Sequence, residues 1–282
     1  MEVLKSKKIL QDFIERQKEM GKKIGFAPTM GALHDGHLSL YKTAREENDL
    51  VVSSIFVNPT QFNNPEDLEK YPRDINRDIS ILEKSGLVDA VYIPEVTDIY
   101  PEKTESSHYD FDGLEDEMEG KSRPGHFDGV GTVVEELFRQ VKPDNAYFGE
   151  KDFQQLAIIR KMTEKKMLPV KIKGVPIFRA ENGLALSSRN QRLDKDRRED
   201  SKIIYETLTK VNEWFRVLTV SEIKQRVQDI FDHQRGMRLE YFLIADEKTL
   251  KETDFFYKDR NFRAFIVVVV DGIRLIDNIH LN

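Results

Sequence analysis

Between Lys23 and Ile177, short apolar runs alternate with stretches whose apolar residues recur at helical spacing. "KIGFAPT" reads as a buried strand ending at Pro28, and "LVVSSIFVNP" as a second strand, again closed by proline. In "DINRDISILEKSG", Ile75, Ile79 and Leu82 recur at helical spacing, and Gly86 supplies a stop signal. "VDAVYIP" is a third strand. "DGVGTVVEELFRQV" then puts Val130, Val133, Val134, Leu137 and Val141 on one helix face. "DNAYFG" is a fourth strand, "DFQQLAIIRKMTEK" a helix and "VKIKGVPI" a fifth strand. The opening "MEVLKSKKILQDFIERQKEM" places Ile9, Phe13 and Met20, with Leu10 and Ile14 beside them, at the spacing of a first helix. Strands alternating with amphipathic helices predict an α/β fold built on a doubly wound parallel sheet. In such sheets ligands sit at the carboxyl ends of strands, and each unusual motif of this chain follows a strand.

The pattern changes near residue 178. "SKIIYETLTKVNEWF" and "VSEIKQRVQDIFDH" predict two helices, and "RLEYFLIAD" a strand. "RAFIVVVVDGIRLIDNI" predicts two strands joined at Asp271-Gly272, a strong hairpin signal. The expected organisation is a large domain over 1–177 and a smaller C-terminal α+β domain over 178–282. The acidic stretch from Glu102 to Glu119 reads as a solvated excursion without assigned function.

Composition narrows the function classes. At 282 residues with 39% hydrophobic and 33% charged, the chain can bury a core beneath a well-solvated surface. A net charge of −6 argues against nucleic acid as the main partner, without excluding a local basic pocket for phosphates. With no cysteine, disulfides and thiolate metal sites are ruled out. The N-terminus lacks the apolar core of a signal peptide, and "AFIVVVV" is too short to cross a bilayer. The expectation is a soluble cytoplasmic protein with no membrane partner.

The candidate chemistry begins at "PTMGALHDGH", Pro28 to His37, which uses two of the chain's six histidines three positions apart. A metal pair would need a third ligand, and no cysteine or H-E-x-x-H context supplies one. Gly36 lies between the histidines, just before the helix "HLSLYKTAREEN", where it allows a ligand to approach closely. The helix start should offer unpaired N–H groups and positive potential to an anion. Histidines beside a phosphate can donate hydrogen bonds to charge that builds in a transition state. A nucleoside triphosphate is the natural ligand. Downstream, "LALSSRN", Leu184 to Asn190, is weak alone, because Ser and Asn are common turn and cap residues.

The H-x-G-H arrangement after the first strand resembles the signature of the nucleotidyltransferase superfamily, with "LALSSRN" as its second signature. "FVNPTQF", "YPRD", "RPGHFDGVGTVV", "YFGEKDFQQL" and "GLALSSRN" follow "PTMGALHDGH" in order, and together they resemble the pantothenate synthetase (pantoate–β-alanine ligase) family. The motifs span residues 28 to 190, whereas the C-terminal third carries no distinctive motif. One departure is Asn182, where an acidic residue is expected before the glycine.

The resemblance implies a Rossmann-like fold of the nucleotidyltransferase type. It also implies ATP-dependent condensation of D-pantoate with β-alanine through pantoyl adenylate, with Mg²⁺ accompanying the triphosphate, and a homodimer. His34 and His37 would contact the triphosphate, His37 as proton donor, from a loop that runs Met30, Gly31, Ala32, Leu33, His34, Asp35, Gly36 and His37 along the nucleotide. Gln61 and Gln155 would bind pantoate, since an amide both donates and accepts. In "GEKD", Gly149 and Glu150 would border the nucleotide, Lys151 would set a point charge on phosphate and Asp152 would bind ribose. Phe178 would meet adenine through its main chain. Leu186 would line the ATP site, and Ser187, Ser188 and Arg189 would close over the phosphates, where Arg189 offers a planar fork. Arg123 and His126 would lie near the site without an assigned role. A nucleotidyltransferase acting on a phosphorylated alcohol would share the fold and the histidine loop, but would need another basic group for its second phosphate and would use no amine acceptor. A non-catalytic nucleotide sensor need not retain His34, His37, Lys151 and Arg189 together.

Overall fold

A computed structural model describes residues 1–63, 65–69 and 71–282. Two compact units emerge, one formed by residues 1–150 and 154–176 and the other by 151–153 and 177–282.

The first unit is built on a six-stranded sheet. Its strands are β1 (Glu2–Leu4), β2 (Ile24–Thr29), β3 (Leu50–Ile55), β4 (Ala90–Tyr92), β5 (Asn145–Gly149) and β6 (Lys171–Val175). They lie in the order β1-β4-β3-β2-β5-β6, and every pairing is parallel. The doubly wound parallel sheet is thus as the pattern predicts, with one strand more than the apolar runs reveal. The additional strand, β1, is only three residues long, too short to show a period, and it lies in the segment expected to be wholly helical. The helix begins at Lys7, where Ser6 caps it by accepting from Ile9 N. Its buried face is Leu10, Phe13 and Ile14, whereas Ile9 and Met20 are exposed, which corrects the expected face.

Helices cover both faces of this sheet, and β3 is buried along its whole length, Ser53 and Ser54 included. Along β2, Phe26 meets Phe138 of the helix His126–Val141. The next residue, Ala27, joins the opposite cluster with Leu40, Tyr41 and Ala44 of the helix Asp35–Glu47. The helix Ile75–Ser85 adds Leu82 to that cluster. It starts on an Asp74 cap and ends where Gly86 turns left-handed at φ 63°.

The sheet opens at the end of β2. β3 pairs with β2 over its whole length, but β5 pairs with it only at Gly25 and Phe26. Pro28, which has no N–H to give, falls beyond the β5 pairing. The chain winds outward from β2 to β3 on one side and returns to β5 on the other, so the carboxyl ends of β2 and β5 flank the topological switch point.

The acidic stretch is more ordered than an excursion. Tyr109 and Phe111 are buried and stack on each other, and Tyr109 Oη donates to Glu135 at 2.8 Å. Burial acts to raise the Glu135 carboxyl, but hydrogen bonds from Arg139 and Tyr109 outweigh it and hold the group below the ordinary glutamate range. Lys165 pairs with Asp110 at 2.7 Å, and Gln154 Nε2 donates to the carbonyls of Leu114 and Glu117 at 2.8 Å each. Charge density alone suggests a solvated loop, because the aromatic anchors are sparse and their partners distant in sequence.

The second unit carries an antiparallel sheet of β7 (Met237–Asp246), β8 (Phe262–Val270) and β9 (Ile273–Leu281) in that order. β8, the continuous apolar run, is central and buried along most of its length. The helices Ile203–Trp214 and Val220–Asp232 lay Ile204, Leu208, Val211, Ile223 and Val227 into the same core as Ile266, Val268 and Val270. At the β8–β9 turn, Asp271 and Gly272 both take positive φ, 44° and 81°, as a two-residue hairpin of this type requires.

Candidate active site

Most backbone N–H groups of the loop after β2 have partners within the first unit. Gly31 turns left-handed at φ 81° and Ala32 follows at φ 51°, an uncommon state for a residue with a side chain. The turn persists because its N–H groups are claimed. Gly31 N donates to Thr29 Oγ1 at 3.2 Å, and Ala32 N and Leu33 N donate to the two carboxylate oxygens of Asp78 at 2.9 and 2.8 Å. Asp78 is only 1% exposed, so this buried charge is held by the loop it organises. A Cβ on Gly31 would sit 2.8 Å from Asp78 Oδ2, so a larger residue there would have to displace the carboxylate from its hydrogen bonds.

The two histidines close the helix start. His34 Nδ1 accepts from Gly36 N at 3.1 Å, and His37 Nδ1 accepts from His34 N at 3.3 Å, a reciprocal box at the head of the helix Asp35–Glu47. A backbone N–H can only donate, so both Nδ1 atoms are acceptors. In the neutral ring the proton then sits on Nε2. His37 N also donates, to His34 O at 2.8 Å. The expectation that this helix start offers unpaired N–H groups is therefore corrected for Gly36 and His37, whose N–H groups bind within the turn. The donor of each neutral ring is therefore Nε2–H, and the ring centres lie 4.2 Å apart.

Gln61 is joined to this loop. Its Nε2 contacts Met30 Sδ at 2.8 Å, and Asn58 Nδ2 donates to its Oε1 at 3.3 Å. Arg123 and His126 act on its backbone: Arg123 Nη2 and His126 Nδ1 both donate to Gln61 O, at 3.1 and 2.8 Å. The same turn rests on Gly129, where a Cβ would meet Thr60 O at 2.7 Å. "RPGHFDGV" thus holds the turn that carries Gln61. Gln155 lies beside the buried Gln154 that anchors the 114–117 segment. Gln155 is half-buried, and its side chain makes no hydrogen bond among the described residues.

In the second unit, Phe178 and Leu186 face each other across a turn, Leu186 N donating to Phe178 O at 3.0 Å. Arg179 bridges to Ala185, and its guanidinium binds Asp277 through two hydrogen bonds of 2.6 and 3.0 Å while lying 3.7 Å from the Tyr205 ring centre. Asn182 does what an acid would do, accepting from Leu184 N at 3.1 Å, and its Nδ2 also donates to Glu199 at 3.1 Å. Ser187 caps the turn Ser188–Arg192 by accepting from Arg189 N, and the Arg189 side chain is exposed. Lys151 is half-buried, with Nζ 3.6 Å from Asp152, and follows Gly149 and Glu150 at the end of β5. Among the described residues no group of three or more His, Asp or Glu could hold a metal ion, and no helix is long and apolar enough to cross a membrane.

The sequence profile of the family described as pantoate-beta-alanine ligase matches residues 2–280. The chain belongs to this family. A pantothenate synthetase of Christiangramia forsetii is 51% identical over the whole of both chains. One from Bacteroides fragilis is 47% identical over 99% of this chain and 98% of its own. Among solved structures, the pantothenate synthetase of Thermus thermophilus aligns with a TM-score of 0.89 at 38% identity over 99% of each chain. The pantoate-beta-alanine ligase of Francisella tularensis, complexed with beta-gamma ATP and β-alanine, gives 0.80 at 36% identity, covering 99% of this chain and 97% of its own.

Sequence reasoning within the family motifs missed Asp78. It falls on the helical period beside Ile79, and only the fold reveals that it faces the histidine loop. Asp78→Asn is expected to lose about 1–3 kcal/mol of stability, because an amide offers one acceptor to two buried N–H groups and turns an N–H₂ against the other. Urea denaturation at neutral pH measures this; a midpoint equal to wild type would show that the loop does not depend on the carboxylate.

Proposed function

We propose that this chain condenses D-pantoate with β-alanine at the expense of ATP, releasing AMP and pyrophosphate. Membership of the pantoate–β-alanine ligase family across residues 2–280 carries the reading. In the first step a pantoate carboxylate oxygen attacks the α-phosphorus of ATP, and the bond to the bridging oxygen breaks as pyrophosphate leaves. In the second step the β-alanine amine attacks the acyl carbon of pantoyl adenylate, the acyl C–O bond breaks, and AMP leaves as the new amide forms and the amine gives up a proton.

Both steps build negative charge on oxygen, so positioned donors and cations supply most of the acceleration. His34 and His37 donate from Nε2 to the triphosphate as charge accumulates, the tautomer being supported by their Nδ1 hydrogen bonds. Lys151 and Arg189 add charge at phosphate oxygens, with Ser187 and Ser188 as hydroxyl donors, and Gly149 and Glu150 border the nucleotide. Asp152 takes the ribose, and Phe178 and Leu186 take the base side through main chain. Gln61 and Gln155 orient pantoate, and the contact of Gln61 with Met30 supports a carboxylate held next to the nucleotide loop. ATP would enter as its Mg²⁺ complex, the ion offsetting charge on the triphosphate. A homodimer and a cytoplasmic location complete the reading.

His34→Ala and His37→Ala are each expected to slow pyrophosphate release from pantoate and ATP by at least ~100-fold, the scale of one lost transition-state donor. Wild-type rates in both variants would remove the loop from the chemistry. The route itself is tested with pantoate carrying heavy oxygen in its carboxylate. One label is expected in AMP, because the attacking oxygen stays on phosphorus when the acyl C–O bond breaks. Unlabelled AMP during confirmed pantothenate formation would contradict an acyl adenylate.

A further inference from the structure

Lys151 sits in the sequence of the first unit, yet residues 151–153 pack with the second. The reason lies in one buried asparagine of β9. Asn278 is 2% exposed, and both polar functions of its side chain and its backbone N–H are engaged. Its Nδ2 donates to Lys151 O at 2.9 Å, its Oδ1 accepts from Arg263 Nη1 at 2.6 Å, and its backbone N donates to Asp277 Oδ1 at 2.8 Å. Arg263 is itself fixed, with Nε on Glu247 at 2.7 Å, and its guanidinium lies 4.0 Å from the ring centre of Phe153. On another side Phe153 meets Phe265 of β8 at 6.0 Å. The segment is therefore held at Lys151 by its carbonyl and two residues later by a ring. Asp277, the neighbour of Asn278, binds Arg179 at the base of the turn that leads to Ser187 and Arg189.

We propose that Asn278 is a positioning residue for Lys151: it fixes the backbone from which the ammonium reaches phosphate, and so acts on adenylation through Lys151 alone. Within a buried network whose members are all satisfied, the loss of one donor is transmitted as misplacement of its partner. For a cation acting by geometry, such misplacement costs rate more than binding. The proposal rests on the reading that Lys151 acts on ATP phosphate.

The test is a double-mutant cycle on single-turnover pyrophosphate release with pantoate and saturating ATP, using wild type, N278A, K151A and the double variant. N278A is expected to slow release at least ~10-fold while changing the half-saturating pantoate concentration less than about twofold. The double variant is expected to match K151A within about twofold, since nothing remains to position. Where N278A does not fold, N278D carries the cycle; it removes the donor to Lys151 O but keeps an oxygen for Arg263. A wild-type rate in the Asn278 variant, or a double variant slowed by the product of the two single losses, overturns the inference while leaving the role of Lys151 intact. A wild-type rate in K151A overturns the reading beneath it as well.

Discussion

Two backbone N–H groups, those of His34 and Gly36, end on imidazole Nδ1 atoms, and the chemistry assigned to the first unit depends on that arrangement. A backbone amide has no choice of role. It commits each ring to accept at Nδ1 and leaves Nε2 as the ring's donor. The buried carboxylate of Asp78 makes the arrangement possible by taking the two preceding N–H groups, which holds Gly31 and Ala32 in successive left-handed conformations. Thus a charge on the helix Ile75–Ser85 sets a backbone turn after β2, and the turn sets the tautomers of two side chains.

The same economy governs the second unit. Its sheet brings Asp277 and Asn278 to consecutive positions of β9, one bound to Arg179 and the other to the carbonyl of Lys151. Two segments far apart in sequence, 151–153 and 177–186, are thereby fixed to one short stretch of strand. Polar groups this deeply buried are costly unless satisfied, and here each has a specific partner.

How much of this was legible in the sequence follows from the range of each interaction. Local periodicity and turn chemistry showed the parallel sheet, its helices and the Asp271-Gly272 hairpin, because those signals lie within a few residues. β1 was hidden, since three residues carry no period. The anchoring of the 102–119 stretch was hidden because Tyr109 answers to Glu135 and Gln154 reaches back to Leu114. The motif residues around the histidine loop stood out by their unusual spacing. Their supports did not: Asp78 reads as an ordinary helical acid, Asn278 as a strand-end amide, and Arg123 and His126 as bystanders, until the fold sets them against Ala32, Lys151 and Gln61. The loop's character also differs from the expectation, since the N–H groups of Gly36 and His37 are engaged within the turn.

The most direct measurement of that character is ¹⁵N NMR of the imidazole nitrogens in the protein at neutral pH, with His34→Gln and His37→Gln variants to assign the signals. For both residues Nδ1 is expected at the chemical shift of an unprotonated ring nitrogen, with the one-bond proton coupling confined to Nε2. A coupling at Nδ1 of either ring would mean that the backbone does not set the tautomer, and the account of the loop would be contradicted at its base.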